Sequence, residues 1–268
     1  MSTIQYKAAA SVVSGRPSPI IWADCPVIAF LKDPGKGFHV FDDFKEAPGA
    51  TTVAGARWYS FIDSAGALVL SDDEKGVLEL RTDAGDNDST TIISGNNTTG
   101  CITPANAGKN KWWFEVRFKT VSITTDDVGF FLGLTQEGQA ADTKPLADDT
   151  CVVNAIDHVG FRVASDDGAA LDFVWNLAGQ SAQETASVKT LVADTWYNVG
   201  FKFDPDDNKV HVYVDGVENK SAAFLMSHAS APDDCLAVCL SLKAQTGAAA
   251  SDYLHIDWVR YAAEYDRS

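Results

Sequence analysis

DTWYNVGFKFDPDDNKVHVYVDG, residues 194–216, is the stretch that decides the fold. Apolar and polar residues alternate over 197–203, and the alternation resumes over 210–214. Successive side chains of a β-strand point to opposite faces, so each half predicts a strand with one buried face. Between them, residues 205–208 read PDDN, which presets a turn and tolerates left-handed geometry. The stretch therefore predicts a β-hairpin.

A second alternating stretch, KWWFEVRFKT at 111–120, predicts a long strand with one face on the core. Its inward residues are Trp112, Phe114, Val116 and Phe118. Its outward residues are Trp113, Glu115, Arg117 and Lys119.

Ten further short strands are predicted between turns rich in Gly, Asp and Asn. They cover 38–44, 57–61, 67–71, 76–82, 90–94, 128–135, 158–163, 171–176, 236–243 and 253–261. No amphipathic helix longer than two turns is predicted, although 181–192 and 221–229 could each hold a short one. The pattern predicts an all-β domain of two packed antiparallel sheets over residues 39–268.

Residues 1–38 differ from the rest of the chain in their residue pattern, because they show neither a strand nor a helix period. They are predicted to form an extended N-terminal arm for docking or assembly. Four prolines in this segment remove backbone donors and oppose regular pairing. Its apolar patches must dock, either on the chain's own domain or on a neighbouring subunit. The predicted docking residues are Ile20, Ile21, Trp22, Val27, Ile28, Phe30 and Leu31.

Composition excludes several classes of function. The 268 residues carry 37 acidic and 21 basic side chains, for a net charge of -16, so a nucleic-acid backbone would be repelled. No apolar run approaches the roughly 20 residues that cross a bilayer. No secretory signal is predicted at the N-terminus, so we expect synthesis in the cytoplasm. The five scattered cysteines show no zinc spacing and are predicted to be free thiols.

Several of these segments together carry a resemblance. FDDF at 41–44, FEVRFKT at 114–120, FLGLT at 131–135, the hairpin and LHIDWVRY at 254–261 resemble the concanavalin A-like lectin/glucanase superfamily, laminin G-like domains included. The resemblance covers about residues 38–262 and implies a jelly-roll sandwich. The superfamily hosts lectins, endoglucanases, calcium-dependent adhesion modules and accessory domains of bacteriophage virions. An acidic chain with a hydrophobic arm looks most like the last group.

Catalytic patterns of that superfamily are not matched. Its endoglucanases carry a Glu-x-Asp-x-Glu or Glu-x-Asp-x-x-Glu strand, because a retaining glycosidase needs two carboxyl groups roughly 5 Å apart. The closest strands, 115–119 and 255–259, do not supply the pair. No Gly-x-Ser-x-Gly elbow is present, and none of the five histidines accompanies a recognisable nucleophile motif. We therefore predict no catalytic residues and no enzyme.

Metal and cofactor binding have no specific motif. Asp204-x-Asp206-x-Asn208 mimics half of an EF-hand loop, but Lys209 replaces the required glycine, so a hairpin turn is predicted. The superfamily's lectins can hold calcium at strand ends, where this chain has four acidic pairs. These pairs begin at Asp126, Asp148, Asp166 and Asp233. Solvated loop carboxylates are the favoured interpretation, so no cofactor is predicted and calcium stays open.

Glycan binding would need an exposed aromatic platform beside planar hydrogen-bonding groups. Trp113, outward beside Arg117, is the first candidate, and Trp175 is the second. Core or inter-subunit packing is the favoured interpretation for both tryptophans.

Three functions follow from these observations. The favoured one is a bacteriophage capsid decoration protein, located in the virion, whose partner is the major capsid protein or another virion protein. A homo-oligomer is expected, with a trimer preferred because decoration proteins usually occupy lattice symmetry axes. The alternatives are a glycan-binding adhesion module and, disfavoured, a polysaccharide-degrading enzyme. Neither nucleic acid nor membrane is an expected partner.

Overall fold

The computed structural model of the chain describes residues 15–46, 48, 57–71, 76–104, 110–249 and 252–265. The helices are α1 (Pro19–Trp22) and α2 (Val27–Lys32). The first eight strands are β1 (Gly37–Asp42), β2 (Trp58–Ile62), β3 (Ala67–Leu70), β4 (Leu78–Arg81), β5 (Ser89–Ser94), β6 (Trp112–Thr120), β7 (Val128–Gln136) and β8 (His158–Val163). The others are β9 (Ala170–Asn176), β10 (Gln183–Thr190), β11 (Tyr197–Asp204), β12 (Lys209–Val214), β13 (Val217–Glu218), β14 (Phe224–Leu225), β15 (Leu236–Ala244) and β16 (Tyr253–Glu264).

These strands form two antiparallel sheets packed face to face. Sheet A has nine strands in the order β13-β12-β11-β6-β16-β4-β3, with β1 beside β16 and β14 beside β12. Sheet B has seven, in the order β10-β9-β8-β7-β15-β5-β2. The predicted all-β jelly-roll sandwich is confirmed. Neither described helix is long enough to cross a membrane.

The 194–216 hairpin forms as its sequence predicts. Strands β11 and β12 pair from Val199 opposite Val214 to Asp204 opposite Lys209. In the turn, Asn208 adopts a left-handed φ of 57°, and the Lys209 amide donates to the Asp207 carboxylate at 3.2 Å. The hairpin turn predicted for residues 205–208 is therefore present.

The core lies between the sheets and is dominated by aromatic side chains of β6 and β11. Phe114 stacks on Phe201 with ring centres 4.9 Å apart, and Trp112 stacks on Phe203 at 5.8 Å. The predicted inward residues of β6 all belong to this core, and Trp113 points away from it.

Strand β10 corrects a sequence interpretation, because its residues were a candidate short helix. It is an edge strand of sheet B, with a register shift between Thr185 and Lys189 and a left-handed Ser187 at φ 52°. An irregular edge strand keeps most side chains in solvent and so shows no apolar alternation. The other candidate helix, 221–229, contains only turns and β14.

The arm is also different from the prediction, because its described part is not extended. It forms α1 and α2 before the chain enters β1 at Gly37. Pro19 opens α1, a position where the missing amide hydrogen costs nothing, so this proline starts a helix instead of preventing one. Residues 1–14 of the predicted arm lie outside the described residues.

Candidate functional site

The arm docks on the outer face of sheet A, and Glu115 of β6 is the centre of the contact. The carboxylate of Glu115 accepts hydrogen bonds from the Ser18 amide at 2.9 and 3.0 Å and from Trp22 Nε1 at 2.6 Å. Its side chain is fully buried. Burial raises the pKa of Glu115 to about 7, although these donors and Arg260 act in the opposite direction.

A second polar anchor joins the arm to the same face through Asp24. Its carboxylate accepts from Lys111 at 3.0 Å, from Lys202 at 3.2 Å and from Trp113 Nε1 at 3.1 Å. Burial alone would raise the pKa of Asp24, but the charge of Lys202 and the hydrogen bonds from both lysines and the tryptophan hold it below its usual value. The carboxylate is therefore ionised near neutrality and ties the arm to β6 and β11.

Apolar contacts complete the docking. Ile21, Trp22 and Phe30 are buried in a cluster with Trp113 of β6, Tyr213 of β12 and Ala262 of β16. The guanidinium of Arg260 lies 3.9 Å from the centre of the Trp22 ring, a cation–π contact. The predicted docking residues thus divide into two groups, because Ile20, Ile28 and Leu31 remain 50%, 63% and 73% exposed. Val27 is half-buried.

Two of the three predicted glycan or interface residues are not accessible. Trp113 does point outward from the sandwich, but the arm covers it completely. Trp175 lies within the core and stacks on Phe224 with ring centres 4.4 Å apart. Neither ring can serve as an exposed platform in this arrangement. Arg117 remains partly accessible, paired with the Asp257 carboxylate.

Arg117 leads to an aromatic strip that the sequence interpretation missed. Its guanidinium lies 4.5 Å from the centre of the half-buried Trp196 ring. His255 separates that ring from Tyr253, whose ring Arg81 covers at 4.4 Å. The signal was present in the hairpin, because alternation places Trp196 on the face opposite the inward Tyr197.

The outer face of sheet B is covered by the chain between β7 and β8. Leu146, Cys151 and Val153 from this connection pack with Phe131 of β7 and Cys239 of β15 in a second, smaller apolar cluster. The connection therefore covers part of the face that would otherwise be open.

A cavity of about 380 Å³ remains at the β8–β10 end of that face. Arg162 lines it and pairs with Asp172 at 3.0 Å and Glu184 at 2.5 Å. Burial, and next the charge of Asp172, raise the pKa of Asp167 in its wall to about 6. The cavity is thus acidic, and the guanidinium of Arg162 in its wall is already paired with the carboxylates of Asp172 and Glu184.

All four acidic pairs take part in structural contacts, and in the pair at 166–167 the Asp167 side chain is hydrogen-bonded with Asp172. Asp148 pairs with Lys243, and Asp127 accepts from the Ser122 hydroxyl at 2.6 Å. The amides of Asp233 and Asp234 donate to the Asp157 carboxylate at 2.9 Å each. Within the described residues, no group of three or more His, Cys, Asp or Glu side chains is arranged to hold a metal ion.

At the level of sequence, the chain matches no protein-family model and no curated protein. Solved structures match it in fold. A protein of unknown function from Shewanella oneidensis is 18% identical, with a TM-score of 0.52 over 87% of this chain and 89% of that one. An endo-1,3-β-glucanase from Streptomyces sioyaensis is 13% identical, with a TM-score of 0.55 over 86% and 97%. Peanut lectin is 9% identical, with a TM-score of 0.53 over 85% and 97%.

These identities are low, so the likeness concerns the fold alone. The fold is that of the concanavalin A-like lectins and glucanases.

Proposed function

We propose that the protein is a non-enzymatic structural protein of a bacteriophage virion, a capsid decoration protein that binds the coat lattice through its docked arm. The observation that carries the proposal is the division of the arm's apolar residues. One group anchors the arm on sheet A, while Ile20, Ile28 and Leu31 are held in solvent. Large apolar side chains presented by a fixed backbone are typical of protein–protein contacts.

The chemistry of the exposed edge indicates the kind of partner surface. Ile28 and Leu31 are three residues apart in α2 and so lie on one side of it. The exposed Lys32 and Lys36 follow them with the exposed Asp33 between, so this segment is net positive in a chain whose net charge is -16. An apolar coat surface with acidic groups at its margin would complement this edge. A homo-oligomer, with a trimer expected, would bind several coat sites at once.

The non-enzymatic part of the proposal is supported by what occupies the outward carboxylates. Glu115 is covered by the arm, and Asp257 pairs with Arg117. On sheet B, Asp172 and Glu184 share Arg162. A retaining glycosidase would need two carboxyl groups free to act on one bond.

The test is co-sedimentation of the purified full-length chain with candidate capsids, beside its native mass from light scattering. A variant with Ile28→Asp and Leu31→Asp should no longer pellet, because two charges would enter the apolar contact. Val217→Asp is the matched control, since Val217 is 69% exposed on β13, outside the arm. Equal pelleting of both variants would refute arm-mediated binding, and a wild-type chain that ignores capsids would refute the virion role.

Glycan binding is the second candidate, and the strip of Trp196, His255 and Tyr253 favours it. Partly exposed aromatic rings beside guanidinium groups offer sugars an apolar surface together with planar donors. Trp196→Ala should abolish retention on a glycan array, while Phe41→Ala, which removes an aromatic ring 42% exposed on the arm-side strand β1, should not. A wild-type chain that retains no glycan would eliminate this candidate.

A further inference from the structure

Strand β1 is an edge strand of sheet A, at the point where the arm enters the sandwich. It pairs with β16 from Gly37 opposite Glu264 to Asp42 opposite Val259, and no other strand within the described ranges pairs with it. An edge strand keeps one row of backbone N–H and C=O groups without a partner in the sheet. The hydrogen bonds around β16 show which residues of β1 carry this row.

Two backbone hydrogen bonds fix the direction of these groups. The Tyr265 amide donates to the Lys36 carbonyl at 2.9 Å on one side of β16, and the Glu264 amide donates to the Lys111 carbonyl at 3.0 Å on the other. Hydrogen-bonded and non-hydrogen-bonded pairs alternate along an antiparallel ladder. The even-numbered residues of β1 therefore bond to β16, and the backbone groups of the odd-numbered residues point to the side that no described strand occupies. These odd-numbered residues, which we call the β1 edge, are Gly37, His39 and Phe41.

The β1 edge lacks the protection against pairing that other edge strands of the sandwich have. Strand β10 is interrupted by a register shift and by the left-handed Ser187, β3 has four residues and β13 has two. Strand β1 has six residues and an unbroken register, and it carries no proline, lysine or carboxylate between Gly37 and Phe41. The other regular edge strand, β2, belongs to sheet B, whereas β1 directly continues the arm. A regular, unprotected edge is suited to accept a further strand.

The β1 edge borders the arm surface through which we propose coat binding. Phe30 of α2 packs on Gly37, since a β-carbon at Gly37 would come within 2.6 Å of that ring. This contact places α2, with the exposed Ile28 and Leu31, beside the start of β1. Toward the end of β1 the Phe41 ring is 42% exposed. Apolar side chains are therefore presented near both ends of the β1 edge.

The charges beside this edge indicate the chemistry of the segment that fits it. Lys32 and Lys36 precede β1 with Asp33 between them, and all three are exposed, so the start of the edge is net positive. An acidic group of a partner is favoured at that end. Side chains of an added strand would reach the apolar groups from alternate positions. The fitting partner is thus an extended segment with alternating apolar residues and an acidic end.

We propose that the coat protein binds this edge with such an extended segment, which adds a strand to sheet A beside β1 and bonds to the backbone of His39 and Phe41. The inference deepens the proposed function and rests on it, because it names how the coat is held. It is nevertheless a separate claim, since a coat contact made by α2 alone would leave the β1 edge unpaired.

Proline at position 41 tests the backbone contact. Phe41→Pro removes an amide hydrogen that points away from β16, and proline is tolerated on edge strands for this reason. Phe41→Ala is the matched control, because it loses the same ring and keeps the amide hydrogen. In co-sedimentation with candidate capsids, Phe41→Pro should bind at least roughly tenfold more weakly than Phe41→Ala, since a carbonyl of the coat strand would lose its donor in a buried contact.

Three results would overturn strand addition. Equal capsid binding by the two variants would leave α2 as the coat contact and the proposed function intact. A native mass that falls in Phe41→Pro but not in Phe41→Ala, measured without capsids, would assign the edge to a second copy of the chain. A wild-type chain that does not pellet would refute this inference together with the virion role.

If Phe41→Pro does not fold, hydrogen exchange of the wild-type chain decides instead. Exchange at single amides is followed by mass spectrometry on the free chain and on the capsid-bound chain. In the free chain, the amides of His39 and Phe41 should exchange faster than that of Val40, which bonds to β16. Capsid binding should slow the two fast amides at least roughly tenfold. Unchanged rates in a capsid-bound chain would contradict the added strand.

Discussion

Replacing Trp22 by alanine removes three interactions with which the arm holds sheet A. The indole is 8% exposed and belongs to the buried cluster that contains Trp113. Its Nε1 donates to Glu115 at 2.6 Å, and the Arg260 guanidinium lies 3.9 Å from the centre of its ring. Truncation of a buried tryptophan costs about 3 to 5 kcal/mol. The lost donor also leaves a buried carboxyl with fewer hydrogen bonds, which adds to the penalty.

A docking free energy reduced by about 3 kcal/mol lowers the docking equilibrium constant roughly 150-fold, since each 1.36 kcal/mol is about a factor of ten. Alkylation of the half-buried Cys25 in the arm measures this at pH 6, and its protection factor, the alkylation rate in the denatured chain divided by that in the native chain, should be up to roughly a hundredfold lower in Trp22→Ala than in the wild-type chain. Ile28→Ala is the control, because Ile28 is 63% exposed in the same arm. A change below about threefold, equal to that of the control, would refute the view that Trp22 anchors the arm.

Three further results are expected. Phe201→Ala should lower the free energy of unfolding in urea by about 3 to 5 kcal/mol, whereas Val217→Ala should change it by less than about 0.5, because the first side chain is fully buried and the second is 69% exposed. Asp24→Asn should weaken Cys25 protection at pH 6, because the ionised Asp24 ties the arm to sheet A; in the wild-type chain this contribution is present above pH 3.8 and disappears as pH falls through the lowered pKa of Asp24. Deletion of residues 1–36 should increase binding of a hydrophobic dye, because it uncovers Trp113, and unchanged dye binding would contradict the docking described above.

Local periodicity was sufficient to predict the strands of the sandwich, but it could not predict that the arm covers the outer face of sheet A. Alternation along β6 correctly placed Trp112 inside and Trp113 outside, because it depends only on neighbouring residues. The cover on Trp113 comes from Trp22 and its neighbours in the arm, and the hydrogen bond between Trp22 and Glu115 joins residues 93 apart in sequence. No local pattern specifies such a contact. Packing, the favoured interpretation of Trp113, agrees with its burial, but the arm as its packing partner could not be predicted.

The missed strand and the missed helices have different physical causes. Strand β10 lies at an edge, none of its side chains is buried, and its register shifts between Thr185 and Lys189, so its sequence lacks the alternation that identifies interior strands. In the arm, prolines were interpreted as breakers, yet Pro19 occupies the first position of α1 and Pro26 directly precedes α2. Position relative to the helix start decides the effect of a proline, and that position is not visible without the tertiary contact that stabilises such short helices.

A docked arm is a better lattice ligand than a free one for an entropic reason. Fixing a backbone costs roughly 1–2 kcal/mol per residue, and α2 alone has six residues. Contacts of Phe30 and Trp22 with sheet A offset this entropy loss before a partner binds. Ile28 and Leu31 are therefore already positioned when the chain encounters the coat. Trp22→Ala should then weaken capsid binding even though Trp22 is buried against its own sheet. Capsid binding that survives complete release of the arm would instead place the coat contact elsewhere on the sandwich.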